Sequence, residues 1–143
     1  MTQHANEEPM GLSLVVCDTV IEDRQTGKRS LIGLFDRLHA PSFPCMHPAL
    51  SVLVTLTNVG GELPCEIACR HSESGETAFA AKGKVNFQDP NRVVEMVFSF
   101  NGVRFPKPGR YDLQVLVDEM LIMTRPLWVV PLPPPQPQPP RAG

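Results

Sequence analysis

Residues 50–57 read LSVLVTLT, and apolar and small polar side chains alternate along most of this stretch. Its even-numbered positions are all apolar: Leu50, Val52, Val54 and Leu56. Because successive side chains of a β-strand point to opposite faces, these four share one face of an extended chain. The stretch therefore predicts a β-strand with one face in a hydrophobic core.

Similar runs extend in both directions from this stretch, from Gly11 to about Val130. They are separated by turn residues, and none has the periodicity of an amphipathic helix. Residues 30–38 are predicted as one strand. The proline-rich residues 41–48 are predicted as a connection between sheets, because proline cannot donate to a sheet ladder. About eight short strands at this spacing predict an all-β protein.

One local feature favours an immunoglobulin-like antiparallel β-sandwich. Residues 106–113 read PKPGRYDL, which places Tyr111, the only tyrosine of the chain, just after Gly109 and at the start of a strand. In a tyrosine corner the ring is buried and its hydroxyl bonds a backbone group a few residues upstream. We therefore expect Tyr111 and Gly109 to have a structural role.

The composition is that of one globular domain. The chain has 143 residues, of which 42% are hydrophobic and 20% charged. We predict a β-sandwich domain over residues 11–130, a flexible tail over residues 1–10 and a disordered proline-rich tail over residues 131–143. The formal net charge of -2 argues against nucleic acid and against a polybasic membrane-surface protein, since both use clustered basic residues.

The four cysteines and the N-terminal sequence bear on the compartment. The apolar run from Leu12 to Cys17 is too short for a secretion signal, and Glu7 and Glu8 precede it. No stretch approaches the roughly 20 apolar residues that span a bilayer. We therefore expect a cytoplasmic protein whose cysteines are reduced.

Three stretches together resemble a known family. They are VCDTVI at 16–21, LIGLFDR at 31–37 with the proline-rich residues 40–48 behind it, and the PGRY turn at 108–111. The resemblance is to a family of small bacterial proteins classed as a domain of unknown function, and it covers residues 12–130. It implies a bacterial source and a β-sandwich. It assigns no functional residues.

Cysteine and histidine recur as two Cys-x-His pairs, Cys45 with His47 and Cys69 with His71. Residues two apart on a strand point the same way, so four such ligands could converge on a tetrahedral zinc ion. The alternative is that the cysteines act as small core hydrophobes. We predict no metal and no cofactor, with these four residues as the alternative site.

Asp18, Asp36 and Arg37 interrupt otherwise apolar strands. A charge in such a position points to solvent or is paired, and an Asp–Arg pair would hold the register of the first hairpin. The functional alternatives are a polar patch beside residues 41–48, with His47, that receives a partner, and a carboxylate pair for acid–base catalysis.

The sequence predicts a broad functional class. The sequence has no nucleophile elbow, zinc-protease helix or phosphate loop, so we predict that it is not an enzyme. The leading hypothesis is a non-catalytic interaction or assembly module with a protein partner or self-association. Trp128, Leu116 and Leu53 are predicted to form its exposed apolar patch. A metal- or ligand-binding protein is the alternative, and a hydrolase the third.

Overall fold

In the computed structural model, which describes residues 8–87, 89, 91–133 and 140, the chain is all-β, with nine strands and no helix among those residues. The strands are β1 Met10–Glu22, β2 Arg29–Leu34, β3 Arg37–Ala40, β4 Cys45–Thr57, β5 Gly61–His71, β6 Thr77–Phe87, β7 Val94–Phe105, β8 Gly109–Val117 and β9 Met120–Pro131. Within this part of the chain, no helix exists that could cross a membrane.

The strands form two sheets. The four-stranded sheet has the order β2-β1-β4-β7, and the five-stranded sheet has the order β3-β9-β8-β5-β6. All pairs are antiparallel except β3 with β9, which is parallel. The chain changes sheets between β2 and β3 and again between β3 and β4. The edge strand β3 of the five-stranded sheet is therefore only four residues long.

One hydrophobic core lies between the two sheets. The four apolar residues at even-numbered positions of the stretch 50–57 each have 0% exposure, which confirms the predicted inward face of β4. β8 supplies the opposing face with four residues that are also fully buried: Tyr111, Leu113, Val115 and Val117. The period-two pattern of the sequence therefore identifies the core-facing side chains of both strands.

The predicted strand 30–38 was wrong as a single element. It divides into β2 and β3, which belong to different sheets, with Phe35 and Asp36 between them. The Phe35 amide still donates to Val16 O of β1, whereas Asp36 O accepts from Trp128 N of β9. The chain therefore crosses between the sheets at these two residues, and the strand count rises from about eight to nine.

Two prolines that were predicted to lie outside strands are within them. Pro48 lies in β4, in a segment that pairs with β7 only, because the pairing with β1 ends at Ser51. Pro131 ends β9 and lies opposite Ala40 of β3, although the tail from residue 131 was predicted to avoid the sheet. Both prolines are tolerated because they lie at a local edge or at a strand end.

The tyrosine corner has the predicted geometry. The Tyr111 side chain is fully buried, its hydroxyl donates to Lys107 O at 2.6 Å, and it accepts from Lys107 N at 3.2 Å. The ring packs edge-on against His71 and Phe105. Gly109 has a φ of +127°, a conformation that side chains rarely adopt, so glycine is needed where the chain enters β8.

The first and last strands are joined across the two sheets. Arg125 Nη1 of β9 donates to Leu14 O of β1 at 2.7 Å. Three residues earlier on β1, Gly11 leaves room for the side chain of Met123 of β9. From the Gly11–Met123 contact to the Leu14–Arg125 bond, the residue number rises on both strands, from 11 to 14 on β1 and from 123 to 125 on β9. The two strands therefore run in the same direction.

Candidate ligand-binding site on the five-stranded sheet

The predicted site residues separate into two groups in the structure. Asp18 lies with His47, and Arg37 lies with Trp128. Asp36 is at the sheet crossing between them and contributes its backbone oxygen to β9. The Asp–Arg pair predicted for the first hairpin is absent from the ion pairs of the described residues. The reason is that Arg37 belongs to the other sheet.

The first group is a small polar cluster at the end of β1. Asp18 Oδ1 is 3.3 Å from His47 Nε2, and the His47 ring lies 5.4 Å from the Phe35 ring. Gly33, with a φ of +74°, leaves the space that the Asp18 carboxylate occupies. A cavity of about 260 Å³ adjoins His47 and is lined by residues of the segment 38–47.

The alternative metal site is wrong. Cys45, His47, Cys69 and His71 do not form a group that could hold a metal ion, and no such group occurs among the described residues. Cys69 is fully buried in the core. Both ring nitrogens of His71 are used: Nδ1 accepts from Glu73 N and Ser74 N, and Nε2 donates to Pro108 O at 2.9 Å.

The second group is an Arg–Trp–Arg row, formed by Arg37, Trp128 and Arg110. Arg37 of β3 and Arg110 of β8 are each in register with Trp128 of β9, one on either side. Trp128 lies between the buried Leu127 and Val129. Because residues in register on neighbouring strands point to the same face of a sheet, Arg37 and Arg110 point away from the core with it. The Arg37 guanidinium carbon is 5.9 Å from the Trp128 ring centroid, and the tryptophan retains 37% exposure.

Arg110 is held in place by a carboxylate on its own strand. Arg110 Nε donates to Asp112 Oδ1 at 2.9 Å, and Asp112 is directly opposite Arg70 of β5. This bond uses one donor of the Arg110 guanidinium. The four N–H groups on its terminal nitrogens form no bond among the described residues, and a guanidinium can present two of them to one anion.

A cavity of about 290 Å³ begins at the end of this row. Its wall is formed by the β5–β6 turn, the β7–β8 connection and two members of the row: His71, Ser72, Glu73, Pro108, Gly109, Arg110 and Trp128. The wall is rigid on one side, because His71 bonds the backbone of both the turn and the connection. The structure therefore offers an aromatic ring, two guanidinium groups and a preformed concave surface together.

Sequence reasoning identified Arg37 and Trp128 but missed Arg110 and Asp112. Alternation from Tyr111 would have placed Arg110 outward, but its position beside Trp128 depends on the register of β8 with β9.

The predicted apolar patch is also wrong. Leu53 belongs to the four-stranded sheet and is only 7% exposed, and Leu116 is far from Trp128, near the opposite end of β8.

The partly exposed thiol of Cys45 is not activated. Cys45 lies two residues from His47 on β4, and burial raises the pKa of its thiol. A nucleophilic cysteine needs the opposite shift, because the thiolate is the reactive form.

The fold and the site together define a small all-β protein with a candidate binding surface on one sheet. The comparison of sequences then shows its family: residues 12–130 match DUF6941, a family of unknown function. The chain belongs to this family, as the resemblance predicted. No curated protein matches the sequence.

Among solved structures, the chain is similar to Pseudomonas fluorescens alkylpurine DNA glycosylase AlkC bound to DNA containing an abasic site analog. The identity is 12%, the TM-score is 0.49, and the match covers 86% of this chain. The chain spans 30% of that protein's length. A similarity of this size assigns no ligand to this chain.

The prediction of a protein partner or self-association, with nucleic acid excluded, finds no support in the comparisons and does not stand. The structural neighbour carries bound DNA, and nothing in the comparisons indicates a protein partner. Net charge was the basis of the exclusion. It is an average over the whole chain and does not describe a single sheet face.

Proposed function

We propose that this protein is a non-catalytic binding module whose ligand lies on the outer face of the five-stranded sheet, at the Arg–Trp–Arg row. The observation that carries the proposal is the register that places Arg37 and Arg110 on either side of Trp128. The ligand-binding class was an alternative hypothesis from the sequence, and this row supports it at residues other than the cysteines and histidines.

The chemistry of the row selects a ligand with a planar ring and a negative charge. The indole of Trp128 provides an apolar face for a ring. The planar guanidinium of Arg110 can donate two parallel hydrogen bonds to one anionic group. The bond from its Nε to Asp112 fixes the orientation of the guanidinium. Burial raises the pKa of the Cys45 thiol, which argues against a cysteine nucleophile at this position.

The finer description of the fold is also a proposal. We propose an immunoglobulin-like sandwich, which the tyrosine corner and the parallel pairing of β3 with β9 support. A bacterial source follows from the resemblance stated above. A cytoplasmic location is supported by four cysteines that form no disulfide.

The test uses phenyl phosphate, a small ligand that has both a planar ring and a negative charge. Trp128 is the only tryptophan of the chain, so its fluorescence and its indole N–H signal in NMR report on this site alone. We expect saturable changes in both signals. Arg37→Gln and Arg110→Gln should each weaken binding by about three- to tenfold, because each removes one exposed charge contact.

Two controls make the result specific. Arg24→Gln changes an exposed arginine in the β1–β2 turn and should bind like the wild type. Uncharged benzamide should bind much more weakly than phenyl phosphate. An indole signal that phenyl phosphate does not move, or equal binding by both arginine variants and the wild type, would overturn the proposed site. Release of inorganic phosphate from the probe would overturn the non-catalytic assignment.

A further inference from the structure

We propose that the ligand of this surface is a single-stranded nucleic acid, with one base stacked at Trp128 and the adjoining phosphates bound by Arg37 and Arg110. This inference rests on the proposed function and deepens it. Proteins that bind single strands combine aromatic stacking positions with basic side chains that follow the backbone.

The charge of the outer face supports this ligand although the whole chain is acidic. Alternation from the core places more basic than acidic side chains on this face of the five-stranded sheet. The basic residues are Arg37, Arg70, Lys82, Lys84 and Arg110, and the acidic residues are Glu62, Glu66 and Asp112. These strand residues therefore carry a net charge of +2 (five basic less three acidic), whereas the formal charge of the chain is -2. Two further acidic residues, Glu73 and Glu119, lie in turns at the two ends of the face.

The spacing of the Arg–Trp–Arg row suits a chain that crosses the strands. Neighbouring strands lie about 4.8 Å apart, so the two arginine backbones are separated by roughly 10 Å with the indole between them. A backbone that passes over the row can therefore place a phosphate near each guanidinium while a base reaches Trp128. Arg70 of β5, which is in register with Asp112 of β8, extends the basic surface beyond the row.

The size of the adjoining cavity argues for a ligand that extends beyond it. At about 290 Å³ it lies at the lower limit for pockets that enclose a whole small molecule. It accommodates one unit of a longer ligand, and the remaining units would lie on the open basic face. Glu73 in its wall disfavours a second phosphate there, so we expect a base, and not the backbone, to enter.

The experiment measures binding of a fluorescently labelled ten-nucleotide oligothymidylate by anisotropy, in parallel with quenching of Trp128. Binding should weaken with salt. Arg37→Gln and Arg110→Gln should each reduce the slope of log affinity against log salt by about 0.7, the value for one lost phosphate contact on a single strand. Trp128→Leu should weaken binding by roughly 5- to 150-fold, and Trp128→Phe should restore part of the loss because a ring can still stack.

The comparison ligands separate this inference from the proposed function. Comparing oligouridylate with oligothymidylate shows whether the protein prefers RNA or DNA, and binding of either oligonucleotide supports the inference. Heparin is a polyanion without bases. If heparin binds as tightly as the oligonucleotide and Trp128→Leu has no effect on binding, the inference is overturned. Tighter binding of a duplex of the same length would also overturn it. If phenyl phosphate binds at the row and neither oligonucleotide does, the inference fails and the proposed function stands; if none binds, both fail.

Discussion

Gly109 connects the tyrosine corner with the candidate site, because it precedes Tyr111 on β8 and lines the cavity beside Trp128. Its φ of +127° is unfavourable for any side chain, and a β-carbon there would lie 3.1 Å from His71 Nε2. We expect Gly109→Ala to lower the free energy of unfolding by about 1–3 kcal/mol, measured by urea denaturation.

Two other glycines separate strain from crowding in that experiment. Gly75 has a φ of +76° and open space around its position, so Gly75→Ala tests strain alone and should cost about 1–2 kcal/mol. Gly60 has neither a positive φ nor a close neighbour, and Gly60→Ala should change stability by less than about 0.5 kcal/mol. Equal stability of the Gly109 and Gly60 variants would contradict the described geometry at Gly109.

Single residues were predictable where the signal is local. Tyr111 and Gly109 belong to one short turn, so their roles could be derived from a few consecutive letters. The pairing of Arg110 with Trp128 could not, because the two residues belong to different strands and their contact depends on the register of β8 with β9.

At the scale of elements, one side-chain hydrogen bond connects β1 with β9. The bond from Arg125 Nη1 to Leu14 O is short and partly buried, and it joins residues 111 positions apart. We expect Arg125→Met to lower the free energy of unfolding by about 1–3 kcal/mol, because it leaves the Leu14 carbonyl without this donor. Urea denaturation measures the change.

The controls for this bond are two further arginine substitutions. Arg125→Lys retains the charge and should recover part of the loss. Arg24→Met removes an exposed arginine of the β1–β2 turn and should be nearly neutral. If Arg125→Met has the same free energy of unfolding as the wild type, the bond contributes nothing to stability.

The elements themselves were predictable to the extent that side chains alternate. β8 follows a strict period of two and β4 does so except at Leu53, and the inward faces of both strands were predicted correctly. The division of residues 30–38 into β2 and β3 was not predictable, because both halves are apolar enough to continue one strand. Which sheet each half joins depends on partners far away in the sequence.

At the scale of the whole molecule, the core contains ionisable groups that must stay neutral. Burial raises the pKa of the Cys65 thiol from 9.0 to about 11 and that of Cys69 to about 12. In the unfolded chain these thiols ionise near pH 9, whereas in the folded protein they resist ionisation. The stability they contribute is therefore complete below pH 9 and decreases as the pH rises from 9 towards 12.

We expect urea denaturation at pH 8, 10 and 11 to show this decrease. A Cys65→Ala, Cys69→Ala double variant should lose less stability over the same interval, since neither thiol remains to ionise. Thiol titration in urea should find four reduced cysteines in the wild type. An identical pH dependence in the wild type and the double variant would exclude the two thiols as its cause.

The shared direction of β1 and β9 has a mechanical consequence. Because the two strands run the same way, Met10 at the start of β1 and Pro131 at the end of β9 lie at opposite ends of the molecule. Tension applied between these two points pulls each strand along its own axis. The ladders of β1 with β4 and of β9 with β3 and β8 are then loaded in shear, with many hydrogen bonds sharing the force. Stretching the folded chain between these two points is therefore opposed by many hydrogen bonds at once.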